Sequence, residues 1–521
     1  MIAVKFPCDE AVILSGECAS EERVQGRWVL VATILGSSLA FIDGTVVNVA
    51  LPALQSALHA TVSQVQWVME SYALLLSSLL LLGGSLGDLY GRAKVFVIGV
   101  ILFAFASAWC GLAPSIGWLI VARGLQGIGA ALLVPGSLAL ISASFPDDRR
   151  GQAIGTWSGF TSITSALGPV LGGWLVEHAS WRWVFFVNIP IAVAVVFITL
   201  LRVPESRDEK ANRKLDWQGA TVVTASLGAI TFSLIEASRG GWSIRLPALL
   251  GAGGLCLFVL MEARSSSPMV DLGLFRSRNF TVANLLTFFL YAALGGILFF
   301  FPLDLIQVEH YSATEAGAAL LPFIILMFAL SSWSGGLVGR FGPKKPLTIG
   351  PLVAAVGFAL FIVADRGGTY WTTFFPATTV LGLGMAISVA PLTTTVMNAV
   401  PRNEAGTASG INNAVSRVAG LIAVAAFGLV LTAGFNRGLD RRLDALALPA
   451  AARQLVDSQR PKLAAAKSDD PRIQKAIADS FLSGYRNILW AAVGLALAGG
   501  LCAMALTNNK FKMTKLPQVS Q

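Results

Sequence analysis

Apolar runs long enough to cross a lipid bilayer recur along this chain, and they leave it one class of fold. They lie at about 28–50, 65–86, 95–113, 116–142, 152–177, 183–203, 216–237, 246–263, 280–303, 313–338, 346–365, 371–398, 407–435 and 485–506. A span of the hydrocarbon core takes about 20 apolar residues at a rise of about 1.5 Å each. Backbone amides find no water there, so open-chain segments of this length are read as helices. The expected fold is an all-α membrane protein with 14 transmembrane helices. Composition agrees, since only 13% of the 521 residues are charged, against about 25% in soluble proteins. The net charge of +9 does not signal nucleic-acid binding, because the basic residues crowd into short turns, where they set topology.

An even number of spans puts both ends of the chain on one side. The intervals 1–27, 87–94, 143–151, 202–214, 264–279, 339–345, 399–406 and 507–521 are rich in Lys and Arg, whereas the opposite short turns hold only Arg182, Arg239, Arg245 and Arg366. The basic set is therefore assigned to the cytoplasm, with 1–27 and 507–521 as cytoplasmic tails. Segment 436–484 carries nine Lys and Arg on the other side. It is read as a long, partly helical outer loop, whose length weakens its vote. No signal peptide is expected, since no basic region precedes a short apolar core and cleavage site. Cys8, Cys18, Cys110, Cys256 and Cys502 form no C-x-x-C pair, so neither a disulfide framework nor a metal site is expected.

The chain repeats itself. The charged turn Gly84-Ser-Leu-Gly-Asp88-Leu-Tyr-Gly91-Arg92-Ala-Lys94 returns as Gly335-Gly-Leu-Val-Gly339-Arg340-Phe-Gly342-Pro-Lys344-Lys345 at an offset of 251. Pro146–Ala153 resembles Pro401–Ala408, and Gly127-x-Gly129 matches Gly382-x-Gly384, both at an offset of 255. Six helices followed by six would repeat nearer to about 200 residues, so the seventh and eighth runs read as an insertion. The expected division is a six-helix half at 28–203, an inserted pair at 204–264, and a second six-helix half at 265–506. Two parallel repeats with a midplane site between them are a transporter architecture.

Ionisable residues inside the runs carry the chemistry, because a charge there costs several kcal/mol unless it is paired or wetted. Asp43 lies about 22 Å along the first run from Trp28, roughly 8 Å from the outer edge of the core. Arg123 in the fourth run and Glu70 in the second fall about 10 and 8 Å from the same edge. A nearby Arg favours the carboxylate, and apolar burial favours the acid, so such a site can switch protonation. Asp43 is the candidate proton carrier, Arg123 its charge partner and Glu70 a further coupling candidate. The alternatives are a static Asp43–Arg123 pair between two helices and a Glu70 that faces water near the outer surface.

Candidate gating residues lie in two places. In the first turn, Gly84, Asp88, Gly91, Arg92 and Lys94 read either as a latch, with Asp88 favoured by a helix dipole, or as a positive-inside turn. Its second copy has Gly339 where the first has Asp88. In the fifth run, Gly155-x8-Thr164-x3-Gly168-Pro169-x2-Gly172-Gly173 combines a helix-bending proline with glycines that admit a close neighbour.

Candidate substrate-cavity residues are Asn48, Gln126, Trp157, Phe160, Asn284, Phe288 and Arg417, polar or aromatic groups within spans. For each aromatic the alternative is lipid contact or packing. Arg417 needs a partner or a wet cavity, and the sequence names none. Glu236, Asp304 and Glu315 read as interface residues near the outer ends. The three histidines, His59, His178 and His310, lie in outer turns, and no nucleophile–base or metal-ligand cluster marks an enzyme.

Together these motifs resemble the major facilitator superfamily, and within it the fourteen-helix drug:proton antiporters. The Gly84–Lys94 turn, the Arg123–Ala131 stretch and the fifth-run pattern match family signatures, the last of them associated with export. Asp43-x-Thr45-Val-Val-Asn48-x-Ala50-Leu-Pro52, Trp181-Arg-Trp-x-Phe185-x-x-Asn188-x-Pro190 and Leu215-Asp216-Trp-x-Gly219 are similar to the fourteen-helix branch. The resemblance implies that Asp43 and Arg123 serve proton coupling. Three positions depart from the pattern: Leu89 where many relatives carry Arg, Thr164 where they carry Gly, and Asp304 where they often carry an aromatic.

The expected function is proton-driven export of amphipathic drugs or toxic organic compounds across a bacterial inner membrane. The alternative is proton-coupled transport of one metabolite, sugar, siderophore or lipid. The expected partners are an amphipathic small molecule and membrane lipid, with protons as the coupling ion and neither cofactor nor nucleic acid. A functional monomer is expected, with 436–484 open to a periplasmic adaptor.

Overall fold

The computed structural model describes residues 17–207, 215–237, 241–265, 268–363, 368–400, 404–446 and 448–506. The expected tail 507–521, most of the tail 1–27, and Arg239, Arg366 and Arg402 lie outside them. Among the described residues there is no strand, and 14 helices are long and apolar enough to cross a membrane. They are α1 (Gly26–Ala57), α2 (Val62–Tyr90), α3 (Arg92–Leu112), α4 (Ile116–Ser144), α5 (Gln152–His178), α6 (Trp183–Arg202), α7 (Trp217–Ile235), α8 (Trp242–Arg264), α9 (Arg278–Gln307), α10 (Ala313–Ser331), α11 (Lys344–Val363), α12 (Phe375–Asn398), α13 (Thr407–Ala445) and α14 (Pro471–Ala503).

The chain packs into two compact units. One comprises Met1–Val270, Gly295–Leu321 and Gly420–Ile488; the other comprises Asp271–Leu294, Pro322–Ala419 and Leu489–Gln521. Within the first unit α4 packs on α2 and α3, α1 packs on α5, and α7 packs on α2 and α8. Helix α8 is largely apolar, and little of it is buried. That pattern suits a helix whose solvent is lipid, where apolar exposure carries no penalty.

The repeat seen in the sequence has a physical counterpart. Gly127 places α4 against the backbone of Tyr72 on α2, and Gly129 places it against Phe103 on α3; a Cβ at either position would overlap those main-chain atoms. In the second unit Gly382 and Gly384 do the same for α12, against Phe323 and against Ala354 on α11. The helix starts repeat as well. Thr61 and Gln64 form a capping box on α2, and Ser312 and Glu315, 251 residues on, form one on α10. Each box satisfies two N–H groups left over at a helix start. Two residues before each cap stands a histidine with left-handed backbone, His59 at φ 50° and His310 at φ 59°.

Segment 436–484, expected as a long, partly helical outer loop, is mostly helical among its described residues. Helix α13 continues to Ala445, α14 begins at Pro471, and between them lie a helix at Ala450–Gln459 and a 3-10 turn at Arg460–Ala465. Some of its charges are paired locally: Arg460 binds Asp440 at 2.5 Å and Asp457 at 2.7 Å, and Arg453 binds Asp444.

Candidate functional site

Asp43 on α1 and Arg123 on α4 are in direct contact, with Arg123 Nη1 at 2.5 Å from Asp43 Oδ2 and both side chains inaccessible to solvent. Arg123 and Gln126 lie three residues apart and so share one face of α4. Gln126 donates to Asp43 Oδ1 at 2.9 Å and accepts from Arg123 Nη1 at 2.7 Å. Asn188 on α6 gives Asp43 Oδ1 a further bond at 3.3 Å. The carboxylate thus accepts from three donors. Ser107 on α3 closes the network, accepting from Gln126 at 2.8 Å and from Asn188 at 2.9 Å.

The guanidinium is held from other directions too. Its Nε donates to the Val68 carbonyl of α2 at 3.0 Å, and its Cζ lies 4.2 Å from the centre of the Tyr72 ring. Phe185 on α6 covers it at 5.9 Å, and cation–π contact of this kind strengthens where water is excluded. Nη2 has no hydrogen-bond partner among the described residues. A buried ion pair with one donor unspent is held by geometry rather than by full satisfaction. Removing either partner would leave an uncompensated buried charge, at a cost of about 3–5 kcal/mol.

Glu70 is buried on α2 at 1% exposure, not in water, and its Oε2 has no hydrogen-bond partner among the described residues. It stands outside the hydrogen-bond network of Asp43, although Val68, two residues earlier, touches Arg123. Asp304, expected as an interface residue, is fully buried on α9.

Helix α5 grips α1 around Asp43. A Cβ on Gly168 would overlap the Thr45 hydroxyl and crowd the Ile42 carbonyl, and one on Gly172 would overlap Val46. Gly173 lies against the Ala313 backbone at the start of α10, and Gly317 lies against the Pro169 carbonyl. Glu177, one turn after Gly173, accepts from the backbone and hydroxyl of Thr314.

In the charged turn, Asp88 pairs with Arg92 at 2.8 Å. Gly91 has φ 111°, a conformation that favours glycine. The helix dipole is not met by Asp88, which lies in the last turn of α2. The start of α3 is met instead by Glu205 from beyond α6, whose carboxylate accepts from the N–H groups of Ala93 and Lys94, both at 3.0 Å. Arg92 N–H adds a bond to the Ser206 carbonyl at 2.8 Å. The Lys94 side chain is exposed, and Gly84 lies against Pro135 of α4.

A family model described as Major Facilitator Superfamily matches residues 33–424. The chain belongs to the major facilitator superfamily. It is 38% identical over 419 residues to the multidrug resistance protein Stp of Mycobacterium tuberculosis, covering 80% of this chain and 78% of that protein. It is 34% identical over 415 residues to the tetracenomycin C resistance and export protein of Streptomyces glaucescens, covering 78% and 77%. With fourteen spans and such relatives, it is a fourteen-helix drug-efflux member of the superfamily. The fold is that of a bacterial homolog of the human lysosomal transporter Spinster, with a TM-score of 0.68 at 18% identity over 92% of this chain and 97% of that one.

In this member of the superfamily the cavity candidates divide between the two units. Asn48, Gln126, Trp157 and Phe160 belong to the first, and Asn284, Phe288 and Arg417 to the second. Gln126 is part of the Asp43 network. Asn48 is half-buried, with Oδ1 unpartnered among the described residues. Trp157 is committed to packing, its indole N–H donating to Ser37 of α1 at 3.0 Å. Phe160 is 51% exposed. Asn284 is buried and accepts from Asn412 at 3.1 Å, and Phe288 is half-buried beside Phe289. Arg417, for which the sequence names no partner, donates from Nε to Asn413 at 3.0 Å. Sequence reasoning does not single out Ser107, Tyr72, Val68 or Glu205. Asn188 and Phe185 stand in a family-like motif that by itself gives them no role.

Proposed function

We propose that this chain is a proton-coupled antiporter that exports amphipathic drugs or toxic organic compounds across the cytoplasmic membrane of a bacterium, with both termini in the cytoplasm. The observation that carries the reading is the Asp43 carboxylate, enclosed in a membrane-spanning bundle, paired with Arg123 and bonded by Gln126 and Asn188. Protonation of Asp43 removes the negative charge that all three donors address. Helix α1 then loses its electrostatic tie to α4 and α6. The grip of Gly168 and Gly172 on residues 42–46 lets α5 feel that change through packing. Substrate leaving to the outside and proton leaving to the cytoplasm are alternative outcomes of one switching carboxyl, which is the requirement for exchange.

In this reading Glu70 is a second proton-carrying carboxyl, protons are the only coupling ion, no cofactor takes part and no covalent chemistry occurs. The transporter works as a monomer in lipid, and the outer segment 436–484 is the surface open to an adaptor. The names of the relatives support drug efflux. A narrower reading, export of one compound, is favoured by the relative named for tetracenomycin C alone.

The test is Asp43→Asn in inverted membrane vesicles. The variant keeps the side-chain volume and removes the titrating group. Substrate-induced proton flux should disappear while the protein remains in the membrane; unchanged flux would remove Asp43 as carrier. A panel of unrelated substrates on the same vesicles separates broad export from export of one compound.

A further inference from the structure

At the end of the first unit opposite the Gly84–Lys94 turn lies a cavity of about 580 Å³, within the roughly 300–1,000 Å³ of small-molecule sites. It lies at the other end of α1 from the cytoplasmic turn and takes no part in the Asp43 network. His59, His310, Lys462 and Lys467 line it, and none of its lining residues among those described is acidic. Its remaining wall is largely apolar, with Val49, Pro52, Val176, Ile306, Ala313 and Ala465.

The polar rim is built rather than incidental. The two histidines are the repeat-related pair that precede the capping boxes, and both hold left-handed backbone. Histidine, like Asn and Asp, is enriched in that conformation, and both turns place a histidine at the same point before a capping box. Glutamines fix the loop that carries the lysines. Gln55, 2% exposed, donates to the Lys462 carbonyl at 3.3 Å and accepts from Gln307 at 2.9 Å. Gln459 exchanges two bonds with the Lys467 backbone at 3.0 and 3.1 Å. Gln474 accepts from Ser468 N–H at 3.0 Å and reaches the Ala466 carbonyl at 3.5 Å. The outcome is a partly apolar pocket with two lysines and two histidines among its lining residues and no carboxylate among those described. Charge-assisted bonds from lysine ammonium groups to an anion are roughly twice as strong as neutral ones.

We propose that this cavity binds an amphipathic anion, with its carboxylate or phosphate head at Lys462, Lys467, His59 and His310 and its hydrocarbon body on the apolar wall. The occupant comes from one of two sources, an anionic lipid of the adjacent leaflet or a free anionic solute.

The experiment uses the full chain in nanodiscs of zwitterionic phosphatidylcholine, without a proton gradient, so that its failure leaves the antiport reading untouched. Laurate is titrated by calorimetry, with dodecyltrimethylammonium as the cation of equal chain length. Wild type should bind laurate saturably, and Lys462→Gln with Lys467→Gln should weaken it at least tenfold. His59→Asn with His310→Asn, which keeps a residue tolerant of left-handed backbone, should weaken it less. Ala465→Trp fills the cavity without altering charge and should abolish binding, which keeps the proposal testable should the lysine variant fail to fold. Phosphatidylglycerol added to the discs is followed by native mass spectrometry: retention by wild type and loss in the lysine variant identify the lipid as occupant, whereas an effect on laurate alone identifies a solute. Equal binding of the cation, or laurate and phosphatidylglycerol both indifferent to all three variants, would overturn the proposal.

Discussion

Gly168 on α5 rests against Thr45 on α1, two residues from Asp43. The contact joins the residues expected to gate the transporter to the helix that carries its buried acid. Neither helix can shift along the other without disturbing the neighbourhood of the Asp43–Arg123 pair.

Gly168→Val should therefore cut transport at least tenfold, since the new side chain must push α1 away from α5. Gly159, on the same helix, is the control: an added methyl group there would meet nothing within 4 Å, and Gly159→Ala should retain wild-type transport. Both are read as substrate uptake into inverted vesicles at matched protein levels. Wild-type activity in Gly168→Val would separate the α5 pattern from the transport cycle.

Arg123→Lys tests whether shape matters in addition to charge. The guanidinium reaches Val68 through Nε and Asp43 and Gln126 through Nη1, and one ammonium cannot reproduce that fork. Proton-coupled export should fall by at least tenfold with the protein still present in the membrane. Full activity would mean that a point charge suffices.

Glu70→Gln should keep Asp43-dependent export but lower the number of protons moved per substrate. The measurement is proton flux divided by substrate flux in the same vesicles. An unchanged ratio would assign Glu70 a structural place in α2.

Glu205→Gln should weaken the start of α3, where the carboxylate meets two backbone N–H groups. The loss should be about 0.3–1 kcal/mol, read as a lower thermal midpoint in detergent. Glu205→Asp, which keeps the charge on a shorter arm, should be milder. A midpoint unaffected by either change would make the cap incidental.

What is legible in the sequence depends on what leaves a trace there. Asp43 and Arg123 are visible as partners because charges in apolar runs are few and the helical rise assigns each a depth. Asn188 and Ser107 are not, since uncharged polar side chains are common in membrane helices and depth does not fix rotation about the axis. Glu205 cannot be found by periodicity. It is an exposed loop acid, and only the folded chain brings it to α3. The Thr61–Gln64 and Ser312–Glu315 boxes are legible in principle, but hydropathy marks where an apolar run begins rather than where a helix does. For the same reason the helix bounds within 436–484 are not legible, although its alanine, arginine and lysine, good helix formers whatever their hydropathy, support the partly helical reading.

The donors that meet Asp43 come from α4 and α6, Ser107 ties in α3, and Val68 ties in α2. Whatever neutralises that single oxygen pair is therefore registered by five helices at the same moment, α1 among them. A signal delivered at such a hub passes through no more than one intervening side chain, Arg123, Gln126 or Asn188, before it reaches another helix, so substitutions at Ser107 on α3 should retune the transporter from a distance.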